Sequence, residues 1–135
     1  EAMNYAKQAC ALAERLGNDL VLGHTLAVLS TTELRQAMAG GNKSLVHDSI
    51  EHGERSVSVL GRMPPTEALV LAHGYLAEAW NFSGENEKAR RHYEISLALC
   101  SNIGLDWLRA ALISEIGSKL AMAKAAARTR PTPEP

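Results

Sequence analysis

Aromatic residues make up only 4% of the 135 positions, with one Phe, two Trp and three Tyr. Valine and isoleucine are sparse as well, which disfavours a β-rich domain. There are two cysteines, Cys10 and Cys100, too few for a disulfide framework. Each lies in an apolar helical run, from Ala9 to Leu12 and from Leu97 to Leu99, and reads as a reduced core filler. Neither sign of charge dominates. The formal net charge is −1 with a pI near 6.6, so no strong field draws the chain to nucleic acid or to an anionic membrane. No apolar run approaches the roughly 20 residues of a membrane span, and no signal peptide is expected. The expectation is a soluble, cytoplasmic chain. It opens at Glu1 in the middle of a helical pattern, so a piece of a longer protein is expected.

What the chain has is alanine and leucine, which supply most of its 46% hydrophobic content and lead the helix propensity scale. The length predicts one domain, burying roughly two-thirds of the unfolded surface.

Six segments read as helices. The first runs from Ala2 to Leu16, with Tyr5, Ala9, Leu12, Ala13 and Leu16 at helical spacing. Gly17-Asn18 supplies the left-handed stop, and Asp19 is the expected N-cap of the second, which spans Leu20 to Ala39. Gly40-Gly41-Asn42 ends it. The third runs from Lys43 to Leu60, closed by Gly61 and by Pro64-Pro65. The fourth starts at Pro65 or Thr66 and reaches Phe82, and the fifth spans Asn86 to Asn102. Asp106 is expected to cap the sixth, which holds its pattern to Ala126. Residues 127–135 end in a Pro-rich stretch and read as a disordered tail or linker.

The stops recur. Gly17, Gly61 and Gly104 each follow an apolar residue and lie 44 and 43 positions apart. A helix pair repeating at that interval predicts an all-α stack of antiparallel hairpins, an α-solenoid, because one hairpin cannot bury its own apolar face.

Val70 to Ile103 resembles a tetratricopeptide unit. Leu76-Ala77 stands at the consensus Leu-Gly pair, Trp80 at the consensus Tyr, Gly84 at the inter-helix turn, Ala89 at the consensus Ala and Tyr93 at the aromatic four later. His73, Ser96 and Ser101 replace the usual Trp, second Ala and Pro. The next unit begins at Gly104 and puts Trp107 on the consensus Trp position. The region from Leu20 to Leu60 departs from the consensus, with helices of about 20 residues. Long hairpins of this kind resemble the repeat domains of MalT-like bacterial transcriptional regulators. The resemblance implies that small residues at Ala77, Ala89 and Ser96 let helices cross closely, while Trp80 and Tyr93 fill the wedge between hairpins. It also implies a sensor or partner-docking arm, with the first helix of each hairpin lining a concave face.

Chemistry is hard to find. His47 and His52 are five apart and point to different faces. Sequence leaves open whether folding gathers His24, His73 and His92; the plain reading is five surface or core-edge histidines, each with one hydrogen bond. Gly40 to Ser44 lacks P-loop spacing and reads as a turn, and no Gly-x-Ser-x-Gly elbow occurs. The acids Glu14, Glu33, Asp48, Glu51, Glu54, Glu85 and Glu87 read as solvated charge. Lys88, Arg90, Arg91 and His92 form the one basic cluster, without interleaved aromatics and balanced by Glu85, Glu87 and Glu94. No catalytic residue, metal or cofactor is expected, and no direct nucleic-acid contact.

A candidate groove comes from the first helix of each hairpin. On the fourth segment Glu67, Gly74, Glu78 and Asn81 fall within about 60° of one another. His24, Thr31 and Arg35 form a comparable stripe on the second, and Trp107, Ser114, Ser118 and Ala121 on the sixth. Each stripe is either groove floor or the solvent side of a packed helix. The leading expectation is a non-catalytic module binding a protein, a peptide or another domain of its own chain. An architectural oligomerisation or spacer segment is the alternative, with a helical enzyme behind it. Tyr5, Leu12 and Leu16 should leave apolar surface open at the N-terminal edge, a place for self-association.

Overall fold

The computed structural model describes residues 2–104 and 106–129, and among them the chain is all-α, with helices and turns and no strand. The six helices are α1 (Ala2–Leu16), α2 (Asp19–Gly40), α3 (Lys43–Leu60), α4 (Glu67–Phe82), α5 (Asn86–Cys100) and α6 (Asp106–Thr129). The last runs three residues past the expected Ala126. The rest of the expected tail, 130–135, lies outside the described residues.

Local chemistry sets these ends. Gly17, at φ 68°, turns the chain out of α1, a conformation that costs glycine little. Asn18, rather than Asp19, then caps α2, its side-chain oxygen accepting the Val21 N–H at 3.1 Å. Asp19 becomes the first helical residue, where its charge meets the positive end of the helix dipole. The next junction repeats the device: Gly41 is left-handed and Asn42 accepts the Ser44 N–H at 3.0 Å. The third differs. Gly61 stays in the right-handed region, and Pro64-Pro65 separates α3 from Thr66, the extended N-cap of α4. Asp106 opens α6 with its carboxylate on the Arg109 guanidinium, 2.5 Å away.

Each helix packs against the next in the chain, and α2 also packs against α4. One core joins α1, α2 and α3 through Ala6, Cys10, Leu22, Leu26 and Val59. Another joins α4, α5 and α6 through Val70, Ala77, Ala89, Tyr93, Leu112 and Ile116. Ala27, Leu60, Leu69 and Ala72 connect the two halves. Both cysteines are buried free thiols.

Small residues bring the hairpin partners close. A Cβ on Gly23 would lie 2.5 Å from Leu60, and one on Gly53 3.1 Å from the Ser30 hydroxyl. At that range buried hydroxyls can reach the opposite backbone. Ser30 donates to the Ser49 carbonyl and Ser49 to the Ser30 carbonyl, both at 2.7 Å. Ser56 donates to the Gly23 carbonyl and Ser96 to the Val70 carbonyl, also at 2.7 Å. Each bond satisfies a buried hydroxyl that would otherwise cost about 1–3 kcal/mol.

Three residues sit differently from the sequence expectation. Glu33 is buried, not solvated, at 2% exposure. Trp80 is half-buried with its indole N–H enclosed and unpaired among the described residues, so Tyr93 fills the wedge more completely. Trp107 is 71% exposed. His73, the position that the expected repeat register aligns with Trp107, meets His92 on α5. No such helix follows α6 among the described residues. Tyr5, Leu12 and Leu16 stand exposed along α1 as expected.

Candidate ligand-binding face

The first helices of successive hairpins, α2, α4 and α6, are the elements expected to carry a groove, and the structure treats their polar stripes unequally. Glu67 is exposed at the start of α4. Gly74 is half-buried, and a Cβ there would meet only the Ser96 hydroxyl oxygen, at 4.0 Å. Glu78 reaches across to α6, where its carboxylate accepts a hydrogen bond from Lys119 Nζ. Asn81 accepts the Asn86 side-chain amide at 2.5 Å across the α4–α5 turn. Gly74 and Glu78 therefore meet at the α4–α6 seam, while Glu67 and Asn81 lie apart from it.

On α2, His24 and Arg35 are exposed, and the half-buried Thr31 donates its hydroxyl to the Ala27 carbonyl of its own helix at 2.9 Å. Among the described residues no hydrogen bond or ion pair joins these three to the α4 stripe. On α6, Trp107, Ser114, Ser118 and Ala121 are all exposed.

The α4–α6 seam holds a small pit of about 100 Å³, lined by Gly74, Tyr75 and Glu78 of α4, Tyr93 of α5, and Glu115 and Lys119 of α6 among others. Lys119 lies 3.3 Å from Glu115 as well as on Glu78. Burial pulls the Lys119 pKa down, but the two carboxylates outweigh it and hold the ammonium above its ordinary value. Burial, assisted by the Glu78 charge, raises the Tyr93 hydroxyl well above the usual phenol range.

A larger cleft of about 580 Å³ opens at the turn end of the hairpins, between the start of α3 and the end of α4. Val46, Ile50, Trp80 and Phe82 give it apolar walls, and Lys43, His47 and Glu85 stand on it. Its sequence signal is the helical spacing of Val46, His47 and Ile50, a mainly apolar pattern rather than a polar stripe. Lys88 Nζ lies 4.3 Å from the centre of the Trp80 ring, a cation–π distance.

Two histidine pairs were also hidden in the sequence. Glu33 and His52 bond at 2.7 Å between α2 and α3, 19 positions apart. Burial raises the Glu33 pKa, opposed by the His52 hydrogen bond and charge. His73 and His92, again 19 apart, bring their Nδ1 atoms to 3.0 Å between α4 and α5. Their ring centres are 5.3 Å apart, so the rings meet nitrogen to nitrogen rather than face over face. One Nδ1 must donate and the other accept, which gives the two rings opposite tautomers. Burial, then the charge of His92, lowers the His73 pKa to about 4. Burial also lowers that of His92, against the opposing pull of Glu54.

His24 does not join that pair, and among the described residues no group of three or more His, Cys, Asp or Glu side chains is placed to hold a metal ion. The basic cluster is engaged locally: Arg90 pairs with Glu87 and Glu94, both at 2.8 Å. No described helix is long and apolar enough to cross a membrane. Comparison with protein-family models, with curated proteins and with solved structures finds no match to this chain.

Proposed function

We propose that this chain is a non-catalytic, tetratricopeptide-like module that binds a protein or peptide along the row formed by α2, α4 and α6. The observation that carries the reading is the position of α4. It packs against α2 across the hairpin boundary and is tied to α6 through Glu78 and Lys119, so the first helices of successive hairpins are neighbours. Burial of Ala77, Ala89, Tyr93 and Ser96 at the consensus small and aromatic positions supports the repeat register. Half-buried Leu71 and Tyr75, with exposed Phe82, offer apolar contacts beside Glu78 on α4. An extended peptide needs such anchors.

In this reading the module is the sensor or docking arm of a larger bacterial signalling or transcriptional regulator. Exposed Tyr5, Leu12 and Leu16 on α1 favour a second contact, with another domain or another copy. Panning a peptide library on the chain, then mapping the bound peptide by backbone amide shifts, tests the proposal. Shifts concentrated on α2, α4 and α6 are expected. Shifts confined to α3 and α5, or no bound peptide, contradict it.

A further inference from the structure

We infer that the pit between α4, α5 and α6 is a subsite for a cationic side chain, a lysine or arginine of the partner; this rests on the reading of α2, α4 and α6 as a peptide-binding row. The pit, about 100 Å³ in volume, has the proportions of an alkyl stem with a small head group. Leu71, Tyr75 and Leu112 supply apolar wall for the stem. At the polar end Glu78 and Glu115 share one ammonium, that of Lys119. The cluster therefore carries one net negative charge, and both carboxylates remain partly exposed, at 33% and 63%. Lys119 occupies the cluster as an intramolecular alkylammonium on a flexible stem, able to give way to an incoming one.

The independent observation is Gly74. A glycine in mid-helix costs about 1 kcal/mol relative to alanine, so it calls for a reason. Gly23 and Gly53 have one, since a Cβ on either would press on a neighbouring helix. Gly74 does not: its Cβ would meet only the Ser96 hydroxyl oxygen, at ordinary contact distance. The missing side chain leaves space in the pit wall instead. Gly117 of α6 also meets nothing within 4 Å, but it is not among the residues lining the pit.

The test titrates Nα-acetyl-lysine N-methylamide, and its norleucine counterpart, which keeps the four-carbon stem and lacks the ammonium, while the backbone amides are followed by NMR. The lysine probe should give saturable shifts at Gly74, Glu78 and Lys119, at least ten-fold stronger in affinity than the norleucine probe. Gly74→Leu should abolish them, and Glu115→Gln, an exposed change, should weaken binding several-fold. Lys119→Met should strengthen binding several-fold, because it releases two carboxylates to the probe. Equal binding of norleucine, or weaker or unchanged binding to Lys119→Met, overturns the assignment. Absence of lysine-probe shifts at Gly74 overturns it whatever the peptide footprint shows, so the subsite and the peptide-binding row fail separately.

Discussion

His73 and His92 face each other across α4 and α5 with their Nδ1 atoms 3.0 Å apart, a pair that holds one proton between its nitrogens but not two. The sign of the resulting pH dependence follows from both folded-state pKa values lying below the ordinary 6.5, His73 at about 4. The unfolded chain takes up these protons first, so the pair's contribution is complete above about 6.5 and is lost as pH falls toward 4. Each unit of separation is worth about 1.4 kcal/mol. Glu33 works in the opposite direction, since its raised pKa makes the folded state the better proton acceptor. The contribution of the pair is therefore isolated as the difference between wild type and His92→Asn in urea unfolding at pH 8, 6.5 and 5. The wild type should lose stability faster on acidification; parallel losses would count against the pair.

Trp80 separates shape from polarity. Its indole N–H is enclosed without a partner among the described residues, which costs about 1–3 kcal/mol. Trp80→Phe removes that group and keeps much of the apolar contact, so it should stay within about 1 kcal/mol of wild type. Trp80→Ala should lose roughly 2–4 kcal/mol, somewhat less than a fully buried tryptophan. Chemical denaturation of the two variants checks both; equal losses would place the side chain outside the wedge.

The glycines predict opposite signs for one substitution. Gly74→Ala should stabilise the fold by up to about 1 kcal/mol, through helix propensity and a less free unfolded chain. Gly23→Ala should destabilise it by about 1–3 kcal/mol through overpacking, because Leu60, which its Cβ would meet, is itself buried. Melting temperatures of the pair decide the matter.

Glu78→Ala should cost about 1 kcal/mol at most, the range for a partly exposed ion pair, because its carboxylate is held by Lys119. Lys119→Ala should then cost less in the Glu78→Ala background than in wild type, because the pair is already lost there. A double-mutant cycle with no coupling would show the pair to be energetically silent.

Helix boundaries were legible in the sequence because they rest on local chemistry: Gly17, Gly41, Pro64-Pro65 and Gly84 act within a residue or two of where they stand. The exchange of Asn18 for Asp19 at the α2 cap shows the limit. Both side chains can cap, and the left-handed Gly17 just before decides which one is in place. Glu33 was legible in place but not in partner. It stands four residues after Leu29 and seven after Leu26, on the face that α2 buries, while the His52 that makes a carboxylate acceptable there lies on another helix. His73 and His92 come from different helices, and only the common 19-residue spacing with Glu33 and His52, 40 positions earlier, hints at the match. The Glu67, Gly74, Glu78, Asn81 stripe is one line on a helical projection. The partners that divide it, Lys119 and Asn86, lie on other helices.

The most direct test of a ligand face on α2, α4 and α6 is the affinity of a panned peptide for Gly74→Leu relative to wild type. The leucine side chain would project toward the α4–α6 pit, and helix propensity should keep the fold intact; a circular dichroism melt confirms that in the same samples. An affinity at least ten-fold weaker with an undiminished melting temperature is the expected result. Equal affinity for the two proteins would contradict the assignment of this face.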